Sequence, residues 1–102
     1  MSQHFWQPLQ RKEKVQAGWD RCLQLFFLTI FRDENEDAVV FDSLGVAADW
    51  TSLSSLRSAM RAHGLDLPDQ VASQLLNDKA KGIGNAITHH DLTRGTWETT
   101  RF

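Results

Sequence analysis

The sequence predicts an α+β domain: a three- to four-stranded antiparallel sheet, laid out as a meander, with a two-helix unit packed on one face. Three observations carry that expectation. Between residues 14 and 44, apolar side chains alternate with polar ones or run unbroken over strand-length stretches. Between residues 51 and 82 they recur instead at three- and four-residue spacing, in two blocks that each close on a glycine. The five residues Asp33–Asp37 interrupt two apolar runs, and a polar gap of that length reads as a hairpin connection.

Each element follows in chain order. Residues 1–10, punctuated by Pro8, read as an N-terminal arm. From Lys14 to Trp19, Val15, Ala17 and Trp19 fall on one side and Lys14 and Gln16 on the other, which predicts a half-buried strand. Leu23–Phe31 is the most apolar segment. Leu23, Leu25, Phe27 and Phe31 face one way and Phe26, Leu28 and Ile30 the other, so both faces of this strand need cover. Val39–Leu44 predicts a third strand, which completes a meander over residues 14–44. A helix pair is expected over residues 51–82. Asp49 or Thr51 is placed to cap the first helix, with Leu53, Leu56 and Met60 as its stripe and Gly64 in left-handed conformation at its end. Pro68 starts the second helix, Val71, Ala72, Leu75, Leu76 and Ala80 form its stripe, and Gly82 stops it. The stretch 83–102 reads as a C-terminal extension with two weakly strand-like pieces, Asn85–His90 and Thr96–Phe102 around Trp97, able to supply one edge strand.

A chain of 102 residues fits one domain with one core, and residues 1–102 are read as that single unit. A net charge of −2 argues against a dedicated nucleic-acid binder, which carries a basic excess. No apolar run approaches the ~18 residues of a membrane span, and the first residues lack the pattern of a signal peptide. The one cysteine, Cys22, has no internal partner and fits a reducing compartment, so a cytoplasmic protein is expected. Six phenylalanines and four tryptophans stand beside no tyrosine, which removes one common proton-carrying side chain.

Catalytic patterns are weak. His89 and His90 are neighbours, and on a strand they would point to opposite faces, so they could not chelate one ion together. No cysteine pair or helical histidine pair is present, and neither a metal nor a cofactor is expected. Gly82-Ile83-Gly84-Asn85 follows a helix rather than a strand, which suits a helix cap and not a phosphate loop. Cys22 has no base marked beside it and reads as an inert, at least half-buried thiol. No catalytic residue is assigned. A small hydrolase or nuclease built on His63, His89 or His90 with an arginine is the enzymatic alternative. A weak nucleic-acid binder using Arg11, Lys12 and Lys14, or Arg94 and Arg101 beside Trp97, is another.

The features that remain favour a non-catalytic module that binds another protein, as an accessory or inhibitory regulator of a larger complex. The expected contact residues are Phe26, Leu28 and Ile30 on an uncovered sheet face, on which the chain could also form a homodimer. Asp33, Glu34, Glu36 and Asp37 would steer the encounter, and Trp6 and Trp97, on the arm and the tail, would anchor it.

Overall fold

The computed structural model describes residues 1–101. Six strands and two helices follow one another as β1 (Ser2–Trp6), β2 (Lys14–Asp20), β3 (Leu25–Phe31), β4 (Val39–Asp42), α1 (Leu53–Ala62), α2 (Asp69–Lys81), β5 (Ala86–Asp91) and β6 (Thr96–Arg101). The strands form one sheet in the order β4-β3-β2-β1-β5-β6. The α+β class stands, but the sheet is larger than expected and mixed. Its pairs are antiparallel except β1 with β5, which run parallel.

Two expectations fail at the chain's ends, for one reason. Residues 2–6 are a strand in the middle of the sheet rather than an arm, and residues 86–101 supply two strands to the sheet rather than one, at the two strand-like pieces. β1 reads Ser-Gln-His-Phe-Trp, and its inward residues Ser2, His4 and Trp6 include two polar side chains. Their burial is earned by hydrogen bonding and not by hydrophobicity, so a search for apolar alternation passes over them.

The meander leads outward from β1 through β2 and β3 to β4 at one edge. The chain then crosses back over one face as α1 and α2, enters β5 beside β1, and turns into β6 at the other edge. A crossover of that kind is what a parallel pair requires. The core lies between sheet and helices. Trp6, Val15, Ala17, Trp19, Phe26, Leu28 and Ile30 meet Leu56, Met60, Leu65, Leu67, Val71, Ala72 and Leu75.

Local signals act largely as read. Gly64 and Gly82 adopt φ of 72° and 59°, the left-handed region where a side chain would be strained. The first helix is capped by Ser52, whose hydroxyl accepts from the Ser54 amide, rather than by Asp49 or Thr51. Those two residues bond to each other one turn earlier. Pro68 stands at the cap of α2, one place before its first helical residue. Leu76, expected on the buried stripe, is 52% exposed, because the stripe runs through Val71, Leu75 and Asp78. β4 ends at Asp42, where its carboxylate accepts from the Leu44 amide and starts a short 3-10 turn over Ser43–Gly45.

Candidate functional site

Three polar residues far apart in sequence meet under α2. On β1, His4 alternates with Ser2 and Trp6 and so points to the helix-covered face. On β5, His90 shares that face with Ala86 and Thr88. On α2, Asp78 lies one turn beyond Leu75 and two beyond Val71, so the helix carries it into the interior. His4 Nε2 lies 2.7 Å from Asp78 Oδ2, His4 Nδ1 lies 3.0 Å from His90 Nε2, and Gln70 Nε2 lies 2.9 Å from His90 Nδ1.

The chemistry of the donors sets one direction along this chain. The Gln70 amide nitrogen can only donate, so His90 Nδ1 accepts and the ring proton sits on Nε2. That N–H donates to His4 Nδ1, which leaves the proton of His4 on Nε2, facing the Asp78 carboxylate. Burial holds His90 in its neutral form by pulling its pKa down to about 4, and the neighbouring His4 and His89 push the same way.

All four ring nitrogens of His4 and His90 are therefore spent on partners inside the protein. The nearby hydroxyls are bound elsewhere. Ser2 accepts from the Trp19 amide, and Thr88 bonds to Thr99. A polar cavity of about 230 Å³ opens beside Asp78 and is lined by His4, Gln74, Asn77, Thr88, Thr99 and Arg101. Among the described residues, no group of three or more histidines, cysteines or carboxylates is arranged to hold a metal ion. The arrangement joins sheet to helix.

The histidines of the enzymatic alternative do not come together. His63 ends α1 with its ring 5.3 Å from that of Phe41, His89 stacks on Phe5 across the opposite face of the sheet, and His90 is in the buried chain. Of the basic residues in the nucleic-acid alternative, Arg11 pairs with Glu13, Lys14 with Glu36 and Arg94 with Asp91. Cys22 is exposed in the β2–β3 turn, contrary to the expected half-buried thiol, because the strand begins at Leu25.

The expected contact residues divide. Phe26, Leu28 and Ile30 are fully buried, at 2%, 0% and 0% exposure, and Trp6 is buried too. The two faces of β3 are thus reversed relative to expectation. The helices cover the Phe26 side, because it continues Val15, Ala17 and Trp19 of β2 across the cross-strand pairs. Asp33, Glu34, Glu36 and Asp37 do form the loop at the β3–β4 end of the sheet. Trp97 is half exposed on β6.

The face left uncovered carries Leu25, Phe27 and Phe31 of β3, Phe5 of β1 and Ile87 of β5, all partly exposed. Gly18 on β2 has its own reason here. The ring of Phe27, its cross-strand partner, lies over it, and a Cβ there would strike both that ring and the Ser2 carbonyl oxygen. Beside this stripe a groove of about 310 Å³ is lined by Leu23, Leu25, Phe27 and Leu44 together with Asp20 and Asp42. Leu23 and Leu44 are 63% and 84% exposed. No protein-family model matches the chain, nor does any curated protein or solved structure.

Proposed function

We propose that the chain is a non-catalytic protein-binding module whose uncovered sheet face docks a basic surface of a partner protein and occludes it. The observation that carries this reading is the charge pattern around the apolar stripe. Leu25, Phe27 and Phe31 are bordered by acid: Asp20 beside Leu25 at one end of the strands, Asp42 beside Thr29 along the stripe, and the Asp33–Asp37 loop at the other end. Lys14, the cation within the face, is paired with Glu36. A partner with apolar side chains flanked by lysine or arginine matches that pattern, and the acidic groups would hasten its approach. A second copy of this chain does not. Two-fold packing of the face on itself with the strands of the two copies aligned brings one acidic end against another.

The test compares the native chain with Leu25→Lys and Phe31→Lys variants as immobilised bait, with the captured protein identified by mass spectrometry. The expected partner has a basic surface, dissociates as salt rises, and is retained at least tenfold less by both variants. Its amide-shift footprint on the chain should fall on Leu25–Phe31 and the groove. Undiminished capture by correctly folded variants, or a footprint on α1 and α2, overturns the reading.

A further inference from the structure

The sheet has two free edges, and they differ. β4 is four residues long, its register with β3 shifts between Ile30 and Phe31, and a 3-10 turn ends it. Shortness and irregularity are the usual ways an edge is made unattractive to another strand. β6 has neither. It runs six residues in unbroken register with β5, contains no proline, and exposes every side chain. Its outer row of backbone donors and acceptors is a complete template for one more strand.

We infer that the chain forms a homodimer by antiparallel pairing of β6 with β6 of a second copy, with Thr99 on the two-fold axis. The occupant and the register follow from three constraints. A two-fold axis perpendicular to the sheet makes two identical edges antiparallel and keeps each face on its own side, so paired residues must point to the same face. On β6, Trp97, Thr99 and Arg101 share the helix-covered face with their partners His90, Thr88 and Ala86, while Glu98 and Thr100 take the other. Only a residue can then lie on the axis, and Glu98 and Thr99 are the two that allow a long overlap.

Charge decides between them. Centring on Glu98 sets that carboxylate against Glu98 of the partner subunit, a destabilising like-charge pair. Centring on Thr99 sets Glu98 opposite a threonine and the half-exposed Trp97 opposite Arg101 of the partner subunit, twice by symmetry. A guanidinium over an indole face is a favourable pair. The same register places threonine against threonine at the axis, a pairing that sheets favour. Joining two such edges makes one continuous twelve-stranded sheet and removes the exposed edge from both copies. This interface is separate from the uncovered face, and the two can be occupied together.

Cysteine cross-linking tests it, in a Cys22→Ser background that removes the exposed native thiol. Directly paired residues on neighbouring strands fall within disulfide reach. Under mild oxidation Thr99→Cys should give a covalent dimer in high yield, and Glu98→Cys should give little. Equilibrium sedimentation of the unaltered chain should show a mass rising toward twice that of one chain at about 100 µM, since an interface of this size associates weakly. Cross-linking of Glu98→Cys in preference to Thr99→Cys overturns the register. A monomer at every concentration, with neither variant cross-linked, overturns the dimer. If a cysteine variant fails to fold by circular dichroism, the sedimentation of the unaltered chain decides alone.

Discussion

Acid should weaken this fold through His90 in a window set by that one ring. Its pKa falls from 6.5 to about 4 on folding, chiefly because burial disfavours the charged imidazolium. Above pH 6.5 the ring is neutral in both folded and unfolded chains and stability does not depend on it. Below that, the unfolded chain takes up a proton that the folded chain refuses, so each step downward favours unfolding. The loss is complete near pH 4, where the folded ring titrates too. At about 1.4 kcal/mol per pH unit, the ceiling at pH 4.5 is about 2.5 kcal/mol. With 9% of His90 exposed, residual screening trims this to about 2 kcal/mol. Urea unfolding followed by tryptophan fluorescence at pH 7.5 and 4.5 measures it, with His90→Gln as reference. The variant should be less stable at pH 7.5, because it interrupts the chain to His4. The native protein should then lose about 2 kcal/mol more than the variant between the two pH values. Glu13, Asp49 and Asp91 also carry lowered pKa values, held down first by hydrogen bonds from Arg11, Thr51 and Thr93. Their contribution is lost as pH falls below the ordinary carboxylate values, and it is present in both proteins, so it cancels in the difference. Equal losses in native and variant proteins would refute the argument that burial keeps His90 neutral.

Two further stability changes follow from single contacts. Asp78→Ala removes the acceptor of the buried His4 N–H and should cost about 2–3 kcal/mol in the same urea assay, with Asp78→Asn costing about half as much. Gly18→Ala should destabilise by about 2 kcal/mol or more, because the new Cβ meets the Phe27 ring and the Ser2 carbonyl. Adding Phe27→Ala to it should not restore stability, since the backbone carbonyl remains in the way; recovery to the native melting temperature would show that the ring alone is the obstacle.

The parts of the fold legible in the sequence are those where hydrophobicity alone sets burial. The alternation of Val15, Ala17 and Trp19 located β2, and Leu53, Leu56 and Met60 located α1. Gly64 and Gly82 marked helix ends, because positive φ is costly for other residues. Residues 2–6 were illegible as a strand, and 86–91 and 96–101 only weakly legible, for the opposite reason. Ser2, His4, Thr88 and His90 are buried polar groups whose partners lie elsewhere in the chain. A signal was present nonetheless. Asp78 stands on the apolar stripe of α2, where an acid can remain only with a partner, and His4 and His90 were the unassigned donors that could reach it. The two faces of Leu25–Phe31 could not be ranked from β3 alone, since both are apolar. The buried side follows from β2, where Val15, Ala17 and Trp19 lie opposite Ile30, Leu28 and Phe26.

The buried Asp78–His4–His90–Gln70 chain has a consequence for how the sheet assembles. β1 and β5 are separated by the whole meander and both helices, so no turn sets their register. Nor can hydrophobicity set it firmly, since Ala86 is the one apolar inward residue of β5. The histidines supply the missing constraint. A slip of one residue in β5 turns His90 to the uncovered face and brings either the charged Asp91 or His89 to its place; with Asp91 there, His4 Nδ1 is left without its donor. A slip of two keeps the faces but carries His90 out of reach of both His4 and Gln70. Registers that bring no histidine to that place bury an unpaired polar group, while the native one satisfies every ring nitrogen. Polar residues that add little net stability can in this way decide which arrangement of the parallel pair survives. The same decision fixes β6, and with it the edge on which a second copy would pair.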